Sequence, residues 1–298
     1  METKEINNYK KAGEVWKNVI KFARKKVVEE ISLLELAEKI ETKIIEEAGL
    51  AFPTNLSLNE EAAHFTPNGK KEDDRILKKE DLLKIDLGVQ VEGYICDGAI
   101  TINLNNEHAK QIEANELALE NAITKAGFGK KIDDISKEIE TTLKEKGFNP
   151  IYNLGGHGLA KNDIHSFPSI PNHASGTTAV LEEGAIAIEP FATTGKGIVS
   201  ESPQVEIFSL KEGKNVRNIY GRKILEKAKK CSGLPFSERW LRKETKLNEF
   251  QFIIGLRELM KASVFETFPG LKEVKGAMVT QSEKSLLILE EKTIVLGE

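Results

Sequence analysis

Residues 82–104 read LLKIDLGVQVEGYICDGAITINL. Ile85, Leu87, Val89 and Val91 alternate with Asp86, Gly88, Gln90 and Glu92, and this period of two predicts a strand with one apolar face. Gly93 marks a turn, and residues 94–104 supply the partner strand of an antiparallel hairpin. Asp86 and Asp97 each interrupt an otherwise apolar strand. A buried, isolated carboxylate costs several kcal/mol unless it is paired or binds metal. Two of them on neighbouring strands also repel each other. Either both lie at a solvated face or turn, or the hairpin holds a cation.

Outward from the hairpin the pattern becomes helical. Ala12, Val15, Trp16, Val19, Ile20 and Ala23 recur at steps of three and four, which predicts a helix over 6–24. A second helix begins at Ser32, with Glu35 three residues on as a capping box, and ends before Gly49. The stretch FPTNLSLNEEAAHFTPNG (52–69) contains Pro53, Pro67 and several Asn, and reads as an irregular loop. Downstream, 107–126 returns to helical spacing. Asp133 or Asp134 is expected to cap a further helix that ends at Gly147. Strand-like stretches follow around 151–154 and 185–192, with a Pro/Gly/Ser loop between them. The run Ile40-Glu41-Thr42, helix, Gly49, Pro53 is echoed by Ile139-Glu140-Thr141, helix, Gly147, Pro150. This reads as a two-fold repeat of an α-α-β-β unit in an α+β chain. Residues 212–272 are helical and charged, an expected insertion in a single catalytic domain spanning 1–298. Residues 276–296 return to strands.

Composition narrows the function. Apolar residues make up 40% and charged residues 30% of 298 positions, so the chain can bury a core and is not a disordered polymer. A net charge of −4 argues against a broad nucleic-acid surface. No uncharged apolar run approaches the ~20 residues of a membrane span, and METKEINNYKK lacks the apolar core of a signal peptide. Two distant cysteines, Cys96 and Cys231, cannot build a disulfide framework or a thiolate metal site, so a cytoplasmic setting is expected. Chemistry must then come from carboxylates and from five histidines, at 64, 108, 157, 165 and 173.

Three more segments hold candidates. In NLGGHGLAKNDIHSFPSIPN (153–172), His157 is flanked by Gly155, Gly156 and Gly158, and His165 follows. Alone, a histidine among glycines is a turn residue, and GGHG lacks the Lys-Ser/Thr of a phosphate loop. In GAIAIEPF (184–191), Glu189 stands in an apolar strand and needs a partner. In VTQSEKSLLIL (279–289), Glu283 precedes an apolar strand and is unremarkable alone. Together they make an Asp, Asp, His, Glu, Glu set. Four carboxylates balance two divalent ions, and mixed O/N ligation without thiolate suits Mn, Fe(II), Co or Zn. Ions ~3.5–4 Å apart can share a hydroxide and clamp a tetrahedral intermediate, which is hydrolytic chemistry.

These residues resemble the methionine aminopeptidases, in particular the archaeal and eukaryotic type 2 branch of the pita-bread metallopeptidase fold. The matching motifs are FPTNLSLNEEAAHFTP (52–67), KIDLGVQVEGYICDGA (84–99), NLGGHGLAKNDIHSFPSIPN, AIEPFA (187–192) and TQSEKS (280–285). The resemblance covers the chain from residue 6, includes a two-fold α-α-β-β repeat and accounts for a helical insertion before Glu283. It implies that Asp86 chelates one metal, that His157 and Glu189 hold the other, and that Asp97 and Glu283 touch both. It makes Glu189 the proton shuttle and puts His64 and His165 on the scissile amide and its oxyanion. It assigns Phe52, Ile164 and Phe191 to the methionine pocket. The implied activity removes initiator methionine from nascent polypeptides when the second residue is small. The implied enzyme is a cytoplasmic monomer in transient contact with ribosomes, with no membrane or specific nucleic-acid partner.

Two other readings compete. A prolidase-like Xaa-Pro peptidase would need a further N-terminal domain. A non-catalytic paralogue that binds ribosome or RNA would be expected to lose ligands. The sequence also departs from the family pattern. Lys284-Ser285 stands where the family has His-Thr, and KKEDDR (70–75) suggests a surface loop insertion. His173 is expected in a loop near the site without a role, and His108 facing solvent. Cys96 should be an ordinary buried thiol, and Cys231 has no visible partner.

Overall fold

The computed structural model describes residues 1–70, 75–211 and 216–298. Most of the KKEDDR segment and the first residues of the helical segment therefore lie outside the described residues. Helix α1 (Thr3–Lys26) buries the stripe read from its spacing, Ala12 to Ala23. Helix α2 (Leu33–Ile45) is capped by Ser32, whose side chain accepts from the Glu35 N–H. The Glu35 carboxylate pairs with Lys39 one turn on instead of returning to the cap, so only half of the expected box forms.

The stretch 52–69 is more regular than its composition suggests. After β1 (Gly49–Leu50) come β2 (Asn55–Leu58) and β3 (Glu61–Ala63). Asn59 turns left-handed between them, at φ 53°. The hairpin expected over 82–104 is β4 (Leu82–Val91) and β5 (Tyr94–Asn103). Both residues of its two-residue turn have positive φ, Glu92 at 54° and Gly93 at 86°, which matches the twist of the strands. Strands β1 and β2 also pair with β4. Of the two readings left open for the polar face, the solvated one fails, because β4 is buried on both sides from Leu82 to Val89. Ile85, Leu87 and Val89 pack on α1 and α2, and the Trp16 Nε1–H donates to the Leu87 carbonyl at 3.1 Å. The other face, with Asp86, is turned into the molecule.

The second half repeats the plan. Helices α3 (Ala109–Lys125) and α4 (Ile132–Glu145) follow. Neither Asp133 nor Asp134 is the cap, since Lys131 holds that position. Its bridge to Val180 starts the helix earlier, and Asp133 instead accepts from the Ser175 and Gly176 N–H groups. Strands β6 (Asn149–Pro150), β7 (Gly155–Ala160), β8 (Asp163–Pro171), β9 (Gly184–Ile188), β10 (Phe191–Thr193) and β11 (Ser200–Leu210) come next. Residues 151–154, expected as strand, form a turn, and the expected loop after them is the β7–β8 hairpin. Glycines hid this strand from the hydrophobic pattern. They are needed because β7 lies between β8 and β9. A Cβ on Gly156 would come within 2.1 Å of the Ala187 carbonyl oxygen.

Helix α5 (Ile219–Ala228), a 3₁₀ turn (Lys229–Cys231), β12 (Phe236–Ser237), α6 (Glu238–Thr245) and α7 (Glu249–Lys261) make up the helical segment. Its expected extent to 272 is corrected, because β13 (Phe265–Lys272) is a strand paired with β11 and β3. Pro269 and Gly270 do not suit a helix interior. Strands β14 (Val279–Gln281), β15 (Lys284–Ile288) and β16 (Thr293–Val295) complete the chain.

Helices α1 and α2 share one core with β4 and β5. Helices α3 and α4 share another with β9 and β15, joining Ile135 and Ile139 to Ile186, Ile188 and Leu286. A third core lies under α5, α6 and α7. Two helix-backed sheets thus curl toward each other in a pita-bread fold. The hairpin β4–β5 and the sheet β16-β15-β9-β7-β8 supply the polar residues between them.

Candidate metal centre

The two sheets bring together the five polar residues singled out in the sequence. On the hairpin, Asp97 pairs with Gly88 and Asp86 with Ala99, so both carboxylates point to one face two positions apart. His157 lies in the middle of β7, opposite Ala187 of β9 and Ser169 of β8. Glu189 follows the last residue of β9, where Pro190 ends the strand. Glu283 sits between β14 and β15, and its N–H donates to the Ala99 carbonyl at 3.0 Å.

Two overlapping clusters result. Asp97, His157 and Glu283 each present a ligand atom within 4.8 Å of the others, and so do Asp86, Glu189 and Glu283. Glu283 belongs to both clusters and Asp97 to one. Glu189 is grouped with Asp86, whereas the sequence reading pairs it with His157.

Burial leaves these carboxyls either protonated or in need of a compensating cation. Burial pushes the Asp86 carboxyl up to about 7, although hydrogen bonds from Asn55 and Gln281 oppose the shift. Burial and then the neighbouring carboxylates hold Asp97, Glu189 and Glu283 well above their ordinary range. Oδ1 of Asp86, Oδ1 of Asp97 and both carboxyl oxygens of Glu283 are buried without a hydrogen-bond partner. His157 Nδ1 faces the Gly158 carbonyl at 3.2 Å. A carbonyl only accepts, so Nδ1 carries the hydrogen and Nε2 presents a lone pair. Burial lowers this ring to about 3, so it is neutral. Its Nε2 lies 3.8 Å from Asp97 Oδ2 and 4.0 Å from Glu283 Oε1. A lone pair facing carboxylates repels them unless a positive ion lies between. The residues therefore fit divalent metal, with a carbonyl fixing the histidine tautomer as metal sites require.

Above the carboxylates is a cavity of about 360 Å³. Phe52, Ile164 and Phe191 line it, with His64, His165 and Phe268. Burial is the main cause that lowers His64 to about 4, with the nearby His165 adding to it. His64 sits at φ 65°, a costly conformation for a non-glycine residue. Its Nδ1 donates to the Pro269 carbonyl at 3.2 Å, which leaves Nε2 as an acceptor. His165 is exposed at its outer edge, but desolvation of its ring also lowers its pKa. The His157 and His165 rings meet edge to face at 4.8 Å.

Several functional contacts escaped the sequence reading. Gln281 Nε2 donates to Glu189 Oε1 at 2.7 Å, and Asn55 Nδ2 donates to Asp86 Oδ2 at 3.3 Å. Phe268 packs against His64 and His165, with ring centroids 5.8 and 5.9 Å away. The departure at Lys284-Ser285 falls beside the ligands and is accommodated by the hairpin. Ser285 Oγ accepts from the Asp97 N–H and donates to the Asp97 carbonyl, both at 2.8 Å, and Lys284 turns away to Glu298. His173 meets Tyr152 edge to face at 5.2 Å and is not among the described residues lining the cavity. His108 is half-buried at the start of α3, not fully solvent-facing. Cys96 is buried.

The model of metallopeptidase family M24 matches residues 7–217. The methionine aminopeptidase of Pyrococcus horikoshii is 42% identical over 298 residues, covering 99% of this chain and 100% of that protein. That of Thermococcus kodakarensis is 43% identical, covering 94% and 95%. Among solved structures, a thermophilic Arx1 superposes with a TM-score of 0.84 at 19% identity, covering 100% of this chain and 91% of that one, a likeness of fold. With a metal-binding cleft of this chemistry and end-to-end identity to those archaeal enzymes, the chain belongs to metallopeptidase family M24, among the methionine aminopeptidases.

Proposed function

We propose that this protein removes initiator methionine from nascent polypeptides whose second residue is small and uncharged, as a type 2 enzyme holding two divalent ions. The observation that carries this reading is the set of buried, partnerless carboxylate oxygens beneath an apolar cavity. Asp86, Asp97, His157, Glu189 and Glu283 would hold the ions, which Co, Mn, Fe(II) or Zn could supply. Bound there, divalent ions provide Lewis acidity that polarises the scissile carbonyl and makes water acidic enough to attack near neutral pH.

The chain's own groups do the rest. Among the described residues no lysine or arginine lines the cavity, so its potential favours a cationic peptide N-terminus. Phe52, Ile164 and Phe191 accept the unbranched thioether side chain. His64 is neutral and donates through Nδ1 to Pro269, so its Nε2 accepts the scissile N–H. His165 has no such constraint and is the donor to the developing oxyanion. Gln281 occupies Oε1 of Glu189, so Oε2 is the atom that takes the proton from water and passes it to the leaving amine. The crowding of His64, His165 and Phe268 beside the reacting bond supports a small second residue.

Residues 1–298 would form one catalytic domain, with the helical segment that ends at Lys261 inserted between the ligands Glu189 and Glu283. By the same resemblance it is a cytoplasmic monomer that meets its substrates at the ribosome.

The test is hydrolysis of Met-Ala-Ser against Xaa-Pro dipeptides, with Mn²⁺, Co²⁺ or Fe²⁺ supplied. Methionine release from the tripeptide alone is expected. Cleavage of Xaa-Pro instead favours the prolidase reading. No cleavage and no stoichiometric metal favours a binding paralogue. His165→Ala should lower turnover far more than metal content, whereas Asp97→Ala should lose metal. Equal metal loss in both would overturn the assigned roles.

A further inference from the structure

Strands β7 and β8 do not stay in register. His157 pairs with Ser169 but Gly158 pairs with Ser166, so Phe167 and Pro168 bulge out of the ladder beside a ligand of the metal centre. Pro168 has no N–H to give the ladder. Gly158 allows the bulge to close in, since a Cβ there would lie 1.9 Å from the Phe167 carbonyl oxygen. Bulges of this kind re-aim a side chain.

The re-aimed side chain is Phe167. It is 95% exposed, the most exposed large apolar residue among those described. It is not stray surface, because it lines the same cavity as His64, His165 and Glu189. Along β8, Ile164 and Ile170 are buried, whereas His165, Phe167 and Ser169 face the opening. Phe167 therefore stands about 7 Å beyond His165, two residues of extended chain. The inner wall of the cavity takes the methionine side chain, so the rest of the peptide leaves past this ring.

We propose that Phe167 is a specificity-determining platform for the peptide beyond the cleaved bond. An extended substrate lays the second residue after that bond against the ring, and an apolar side chain there is preferred. This proposal rests on the aminopeptidase reading.

The test compares Met-Ala-Leu-Gly-Gly-Lys with Met-Ala-Gly-Gly-Gly-Lys, with divalent metal supplied. The two peptides have equal length and differ only at the second residue after the bond. The unaltered protein is expected to favour the leucine peptide about tenfold in kcat/KM, through KM, as partial burial of one apolar side chain implies. Phe167→Ser should abolish the preference and Phe167→Tyr should keep it. Because Phe167 is exposed, its replacement removes no core packing. No preference in the unaltered protein, or an undiminished preference in Phe167→Ser, overturns the platform alone. No methionine release from either peptide by the unaltered protein overturns the aminopeptidase reading and the platform with it.

Discussion

At the residue scale the metal centre is an unstable arrangement of charge without its cation. Burial pushes Asp86 up to about 7 in the folded protein and also raises Asp97, Glu189 and Glu283, against about 4 in an unfolded chain. Between those values the folded state binds more protons than the unfolded one. These carboxyls thus favour folding fully below the unfolded value, and that contribution is lost as pH rises through the folded values. Divalent metal takes the place of the protons. The gap in Tm between metal-loaded and metal-stripped protein should therefore widen from about pH 5 to about pH 8. Thermal melts at fixed metal concentration measure it, and a constant or shrinking gap would rule the exchange out. Asp86, Asp97, His157 and Glu189 stood out because each interrupts an apolar strand or a glycine run, whereas Glu283 precedes its strand and gained meaning only beside the other four. Asn55 and Gln281 did not, since an amide side chain becomes meaningful only when another part of the chain delivers a carboxylate to it.

At the element scale α3 ties the ligand-bearing segments together. Asn115 is fully buried. Its Nδ2 donates to the Pro190 carbonyl at 3.0 Å and to Ser282 Oγ at 3.2 Å, next to Glu189 and Glu283 respectively. Gln111, one turn earlier, donates to the Ala192 and Met278 carbonyls at 3.0 and 2.8 Å. Partners behind metal ligands are worth about tenfold or more in affinity. Asn115→Ala should weaken metal binding by about that factor, whereas Lys110→Ala on the exposed face should not. Calorimetric metal titration of the stripped protein reads this directly. Unchanged affinity with lowered stability would reduce α3 to a packing element. Helical spacing revealed α3, but could not say that two amides on its buried face reach the segments flanking Glu189 and Glu283. Nor could it reveal β7, whose glycines are dictated by the carbonyls of β8 and β9 rather than by an apolar face.

At the scale of the whole molecule, the helical segment and the N-terminal half are locked by a buried ion pair that neither sequence pattern suggested. Arg239 of α6 is bidentate to Glu41 of α2, with its Nη1 donating to Oε2 at 2.6 Å and its Nη2 to Oε1. Both residues are buried. Glu41 also accepts from the Thr54 N–H at 3.1 Å, and Arg239 Nε donates to the Pro67 carbonyl at 3.0 Å. Thr54 and Pro67 bracket the stretch that carries Asn55 and His64. The pair thus acts as a strut between α6 and both ends of a segment that supports the metal site and contacts the scissile amide. Removing one partner leaves a buried charge, so Glu41→Met or Arg239→Met alone should cost about 3–5 kcal/mol in denaturant unfolding. The double Glu41→Met, Arg239→Met variant leaves no stranded charge and should recover most of that loss. Turnover should not recover with it, because Thr54 and Pro67 still lack their partners and His64 is no longer held at its strained φ. Stability and kcat would then separate in the double variant. If both return together to the unaltered values, the strut holds the fold but does not position the catalytic segment.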